Sequence, residues 1–85
     1  MYISEYYIVF IISHDNNYSY ISGTNPISIN NDFNNAKIFY TQESAKMELD
    51  GDFIMLSAIL HYTDAKVVYI AKYSDGIEIE RKKYI

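Results

Sequence analysis

Residues 2–12 constrain this chain more than any other segment. One alternating set is Tyr2, Ser4, Tyr6, Ile8, Phe10 and Ile12; the other is Ile3, Glu5, Tyr7, Val9 and Ile11. Both sets are largely apolar from residue 6 onward. A strand with two apolar faces belongs in the middle of a sheet, covered on both sides. The chain has 85 residues, enough for one domain, residues 1–85. A domain of this size buries only ~60–65% of the surface its unfolded chain exposes. Double cover must therefore come from an economical core or from a partner.

The rest of the chain reads as short elements joined by turns. Residues 14–17, His-Asp-Asn-Asn, have the Asx chemistry of a turn, and residues 18–22 form the second strand of a hairpin. Gly23-Thr24-Asn25-Pro26 is a further turn, and Ile27 and Ile29 suggest a short edge strand. Asp32 caps a single helical turn over residues 33–36, and residues 37–40 return to strand character. Thr41 is the N-cap of a helix expected to reach about residue 62, with Glu43 favoured in its first turn by the helix dipole. Ala45, Leu49, Phe53, Leu56 and Leu60 make one apolar stripe along it. Asp50-Gly51-Asp52 interrupts the pattern, either as a kink or as a split. Residues 65–73 and 77–80 are strands joined through Asp75-Gly76, the strongest hairpin signal here, and residues 81–83 extend the last strand as a basic end. The expected fold is α+β: a mostly antiparallel sheet of four to five strands with one main helix, in the order ββ(β)βαββ.

The helix carries more apolar surface than one sheet covers. Met47, Ile54 and Ala58 fall on roughly the face opposite the stripe, and residues 53–60 are apolar except for Ser57. Such a helix is buried on both sides or forms an interface. Met47, Ile54 and Ala58 are accordingly expected to mediate self-association, as in a homodimer.

Several chemistries lack their residues. With no Cys there is no disulfide, thiolate metal site or cysteine nucleophile. His14 and His61 are far apart in sequence and give no zinc set. Ser13-His14-Asp15 holds the residue types of a triad, but neighbours in a turn do not face one another as a triad requires. His61 reads as a cation at a helix C-terminus. Glu48, Asp50 and Asp52 lack the further oxygen ligands of a calcium loop. Three scattered Gly residues offer no phosphate cradle. No metal, no cofactor and no enzymatic activity are expected. The apolar N-terminal run is too short to span a bilayer and lacks a basic leader and a cleavage site, so a cytoplasmic location is expected.

Charge is unevenly placed. The net charge is −4, with 7 Lys+Arg against 11 Asp+Glu. Residues 1–36 hold no Lys or Arg, residues 43–64 hold five acids against Lys46, and Lys66, Lys72, Arg81, Lys82 and Lys83 lie in the last 21 residues. Direct nucleic-acid binding is disfavoured, because it calls for a basic groove with stacking aromatics. An acidic helix instead suits a basic protein surface, such as one that handles nucleic acid. Glu43, Glu48, Asp50 and Asp52 are the candidate electrostatic contacts. Tyr18 and Tyr20, two of ten tyrosines, are the candidate anchors, since Tyr gives a large contact area at low entropy cost.

The segment 32–39, Asp-Phe-Asn-Asn-Ala-Lys-Ile-Phe, leads into Thr41-Gln42-Glu43-Ser44-Ala45. A hairpin, an Ala-Lys-x-Phe strand and a Thr-capped helix with Ala at its fourth position resemble many small proteins of phages and mobile elements in low-GC Gram-positive hosts. The resemblance covers about a third of the chain. Characterised members of that group are often inhibitors of host proteins or defence systems, anti-CRISPR proteins included. It implies a setting and gives no functional residue. The expected function is thus a small protein-binding inhibitor of a host or defence protein. A homo-oligomer that sequesters a small nucleotide is the alternative, and an interaction module without inhibitory role the second alternative.

Overall fold

A computed structural model describes residues 4–85, so Tyr2 and Ile3 of the expected first strand lie outside the described residues. The fold is α+β. Five strands are β1 (Glu5–Ser13), β2 (Tyr18–Gly23), β3 (Ser28–Asn30), β4 (Ala65–Ser74) and β5 (Ile77–Lys83). Their order across the sheet is β3-β2-β1-β4-β5, antiparallel throughout. The helices are α1 (Gln42–Gly51) and α2 (Phe53–Thr63), and Phe33–Asn35 form one 3₁₀ turn.

The two-faced strand takes the central place that its pattern demands. Val9 and Ile11 point to the helix side, where they pack with Ile21, Ile27, Phe39, Ala45, Leu49, Leu56, Val68 and Ile70. Ile8 and Phe10, on the opposite face, are buried as well, at 2% and 1% exposure. Helices cover one face of β1. The second face is covered by side chains of the sheet itself and by the 3₁₀ turn, described below.

Residues 37–40 are not a full strand. Only Phe39 bridges to Tyr7, through Tyr7 N–H to Phe39 O and Phe39 N–H to Tyr7 O at 2.9 Å. β2 pairs β1 only over Phe10–Ile12, and Phe39 fills the same edge further down. Lys37 N–H donates to Ile21 O on one side of it, and Thr41 already caps α1 on the other. That leaves room for one bridge.

The expected single helix is two. Asp52 stands between them with φ −131° and ψ 42°, outside helical geometry. Its carboxylate accepts the N–H of buried Ile27 at 3.0 Å, and its own N–H closes on Leu49 O. Glu48 reaches the same turn and accepts from the Thr24 hydroxyl at 3.0 Å. Two carboxylates thus tie the end of α1 to the turn before β3, in which the Asn25–Pro26 bond is cis. The break is fixed by Asp52 rather than by Gly51. Gly51 remains helical without a positive φ, and a Cβ there would meet open space. The two N-caps read from the sequence are present: the Thr41 hydroxyl accepts from Ser44 N–H, and Asp32 from Asn34 N–H. Asp64 ends α2 in the left-handed region.

These roles predict opposite effects at adjacent positions. Asp52→Ala removes the acceptor of a buried N–H and should destabilise by about 1.5–3 kcal/mol. Gly51→Ala should stabilise by about 0.5–1 kcal/mol, because Ala loses less backbone freedom in a helix. Urea unfolding of the two variants checks both signs.

Candidate functional site

The second face of the sheet is aromatic, and register explains why. Phe10 lies directly opposite Tyr20 on one side and Tyr69 on the other, and Tyr6 lies opposite Tyr73. Tyr6 and Tyr73 stack with centroids 5.6 Å apart and planes within 8°. Phe10 stacks on Tyr18 at 5.3 Å and meets Tyr20 and Tyr69 at 6.1 and 5.6 Å. Phe33, from the 3₁₀ turn, contacts Tyr20 edge-on and Tyr73, both at 5.4 Å. These partners belong to β2 and β4, so Phe33 reaches across β1. Ring pairs in such offset and tilted geometries add about 0.5–1.5 kcal/mol each beyond area burial.

Arg81 completes the arrangement. A bulge between Lys72 and Tyr73 in the β4–β5 ladder leaves Ile79 without an opposite residue, so Glu78 pairs Tyr73 while Arg81 pairs Ala71. The extra residue puts Glu78 and Arg81 on one face, where an unbroken strand would separate residues three apart. Arg81 donates to both carboxylate oxygens of Glu78, at 2.8 and 3.0 Å. Its guanidinium also lies 4.8 Å from the Phe10 centroid and 5.1 Å from that of Tyr69. Ala71 lies opposite both Ile8 and Arg81, and its small side chain leaves space for this reach. The hydrogen bonds from Arg81 hold Glu78 below the usual carboxylate range. In turn Glu78 keeps Arg81 charged, against the desolvation of its partly covered side chain. Burial pushes the Tyr20 and Tyr73 hydroxyls up.

No family model matches the chain, and no curated protein and no solved structure matches it either.

The six candidate contact residues do not form one surface. Tyr18 and Tyr20 belong to the aromatic face; Tyr18 is 40% exposed and Tyr20 is half-buried. The four acids are on the helix layer, and three of them have partners within the fold. Glu48 accepts from Thr24 and lies 3.9 Å from Lys37 Nζ, and Asp52 holds Ile27. Asp50 accepts from the Tyr84 hydroxyl. Glu43 alone of the four has no hydrogen-bond or ion-pair partner among the described residues. It shares a shallow groove toward β5 with Gln42, Lys46, Met47, Asp50 and Lys82. Of the four acids, Glu43 and Asp50 line one groove, whereas Glu48 and Asp52 are engaged with the turn before β3. Among the described residues no group of three or more His, Asp or Glu is placed to hold a metal ion, and no helix is long and apolar enough to cross a membrane.

The residues of this face that were not among the sequence candidates are Tyr6, Phe33, Tyr69, Tyr73 and Arg81. Phe33 sits in a polar stretch, and Arg81 reads as part of a basic tail. The available signal was register: pairing β1 against β4 through two confident strands sets Tyr6 beside Tyr73 and Phe10 beside Tyr69. The bulge that turns Arg81 onto this face has no sequence marker.

Two measurements test these assignments. Arg81→Met keeps the apolar stem but loses the ion pair and the ring contacts, and should destabilise by about 1–2 kcal/mol in urea unfolding, with altered near-ultraviolet tyrosine dichroism. Burial, and then the hydrogen bond to Asp50, push the Tyr84 hydroxyl up to about 12. Its folded value thus lies above the ordinary Tyr value of about 10. The resulting stabilisation is complete below that value and is lost as pH rises through the folded one. The wild-type urea midpoint should fall more steeply above pH 10 than that of Tyr84→Phe.

Proposed function

We propose that the chain is a non-enzymatic protein-binding module whose recognition surface is the aromatic face of the sheet. The observation that carries this reading is a set of five tyrosines, Phe33 and Arg81 locked by mutual stacking over a sheet. Tyr and Arg are the residue types that dominate interface hot spots. Rigid aromatic side chains lose little entropy when a partner docks. Tyr18 and Phe33, each more than a third exposed, are the anchors, and Tyr20 supports both through its ring contacts. The polar hydroxyl rims suit a protein surface of mixed polarity.

The resemblance to small phage and mobile-element proteins supplies the setting: an inhibitor of a host protein that handles nucleic acid or serves in defence, in the manner of anti-CRISPR proteins. The four candidate acids belong to the helix layer, across the sheet from this face, so they steer a partner to it only weakly and binding should depend little on salt.

Affinity capture from a low-GC Gram-positive lysate, followed by titration of the captured partner, tests the proposal. Tyr18→Ala combined with Phe33→Ala should weaken binding by roughly 30-fold or more, the consequence of losing about 2 kcal/mol at a hot spot. Glu43→Gln should change affinity by less than about threefold. Unchanged affinity in the double aromatic variant, with loss of binding in Glu43→Gln, would overturn the assignment of the surface.

A further inference from the structure

Met47 on α1 and Ile54 and Ala58 on α2 are exposed, but apolar surface of this kind specifies no occupant. A polar cavity at the Ser13 end of β1 does. Its volume is about 380 Å³, near the lower end of the ~300–1,000 Å³ of small-ligand sites. It forms where the β1–β2 hairpin meets the end of α2, and His14 N–H ties the two together by donating to Asp64 O at 2.9 Å. Ser13, Asp15, Asn17, Ser19, Asn31 and Thr63 line it. Ser19 lies opposite Ile11 and so faces the helix layer. Tyr18 borders the same cavity and stacks on Phe10 in the aromatic face.

The lining is rich in acceptors. The Ser19 hydroxyl donates to Asn31 Oδ1 at 3.2 Å, and that of Thr63 to Ile59 O at 2.8 Å. Each hydroxyl has one proton, so each offers a ligand only lone pairs. Asn17 N–H is also used, donated to Ser13 Oγ at 3.2 Å. The side-chain donors left are the Ser13 hydroxyl and the amides of Asn17 and Asn31, all neutral. Asp15 is the one charged residue of the lining, and its carboxylate has no hydrogen-bond or ion-pair partner among the described residues. Thr63 ends α2, where the helix dipole favours a positive charge. No Lys or Arg lines the cavity; Lys66, the nearest cation in sequence to Thr63, lies outside it and is offset by Asp64.

We infer that this cavity binds a guanidinium group, the head of an arginine side chain. A guanidinium is planar, permanently charged and rich in N–H donors with no acceptor, which suits neutral oxygens gathered beside one carboxylate. An ammonium concentrates fewer donors at one point. A divalent ion takes more carboxylates, and no group of three or more His, Asp or Glu is placed to hold one among the described residues. The inference deepens the function proposed above and rests on it for the source of the arginine: a partner with a basic surface, docked on the aromatic face, reaches the cavity past Tyr18. A single carboxylate keeps the salt dependence of that docking small.

N-acetyl-arginine amide, titrated into the unmodified chain and followed by amide nitrogen–proton correlation spectra, tests the site without any partner. Saturable shifts should centre on residues 13–19, Asn31 and Thr63, with a dissociation constant on the order of 1–10 mM, as for one small group. N-acetyl-citrulline amide has nearly the same shape without the charge and should bind at least about tenfold more weakly. The lysine analogue should bind at least about threefold more weakly. Asp15→Asn should weaken arginine binding at least about fivefold. Asp75→Asn should leave it unchanged, because Asp75 follows Ser74, which pairs with Glu5 at the other end of β1. Both altered positions are exposed, and circular dichroism checks that each variant is folded. No saturable shift up to about 50 mM, shifts centred elsewhere, equal binding of the citrulline or lysine analogue, or no effect of Asp15→Asn would overturn the inference. The probe needs no partner, so a failed titration leaves the aromatic-face assignment standing, and unchanged partner affinity in the Tyr18, Phe33 double variant leaves the cavity standing.

Discussion

The burial of β1 on both faces is the constraint on which the rest of this structure depends. Val9 and Ile11 need one apolar layer and Ile8 and Phe10 need another, a few ångströms away through the same backbone. A larger α/β domain would put helices on both sides. Here the second layer is made from tyrosines of neighbouring strands, one phenylalanine from a 3₁₀ turn and the guanidinium of one arginine. Tyr suits this use because its ring supplies apolar cover and its hydroxyl stays at the water boundary. The high tyrosine content is in this sense a consequence of putting a two-faced strand in a small domain.

The helix layer shows the same economy in a different form. Asp52 and Glu48 connect the end of α1 to the turn before β3, and Asp50 reaches the Tyr84 hydroxyl near the C-terminus. Acidic residues that suggest an outward electrostatic face in the sequence instead hold loops against the helices. Splitting the helix at Asp52 also gives α2 its own direction over the sheet. The outer side of α2 is left without cover among the described residues, whereas the aromatic face covers itself. The two surfaces thus differ in kind: one is pre-organised by its own stacking, the other is a bare apolar stripe.

Much of the fold was legible because period and turn chemistry are local. The alternation in residues 2–12, Asp75-Gly76, Thr41 and Asp32 all led to the elements observed. The helix break was visible as a question but not as an answer, since what fixes it is the N–H of Ile27, 25 residues away in sequence. The one-bridge contact of Phe39 was unreadable for a similar reason: β2 already occupies part of that edge of β1. The aromatic face was half legible. Tyr18 and Tyr20 stand out by alternation, but Phe33 and Arg81 join them only through a loop path and a bulge.

Equilibrium unfolding of Phe10→Ala, compared with Leu49→Ala, tests the central claim most directly. Leu49 is a fully buried residue of the helix-side core, where such truncation removes about 2–5 kcal/mol. If the aromatic layer is a second core, Phe10→Ala should remove about 3–5 kcal/mol or prevent folding altogether. A loss under about 1 kcal/mol, as at a solvent-facing position, would contradict the account.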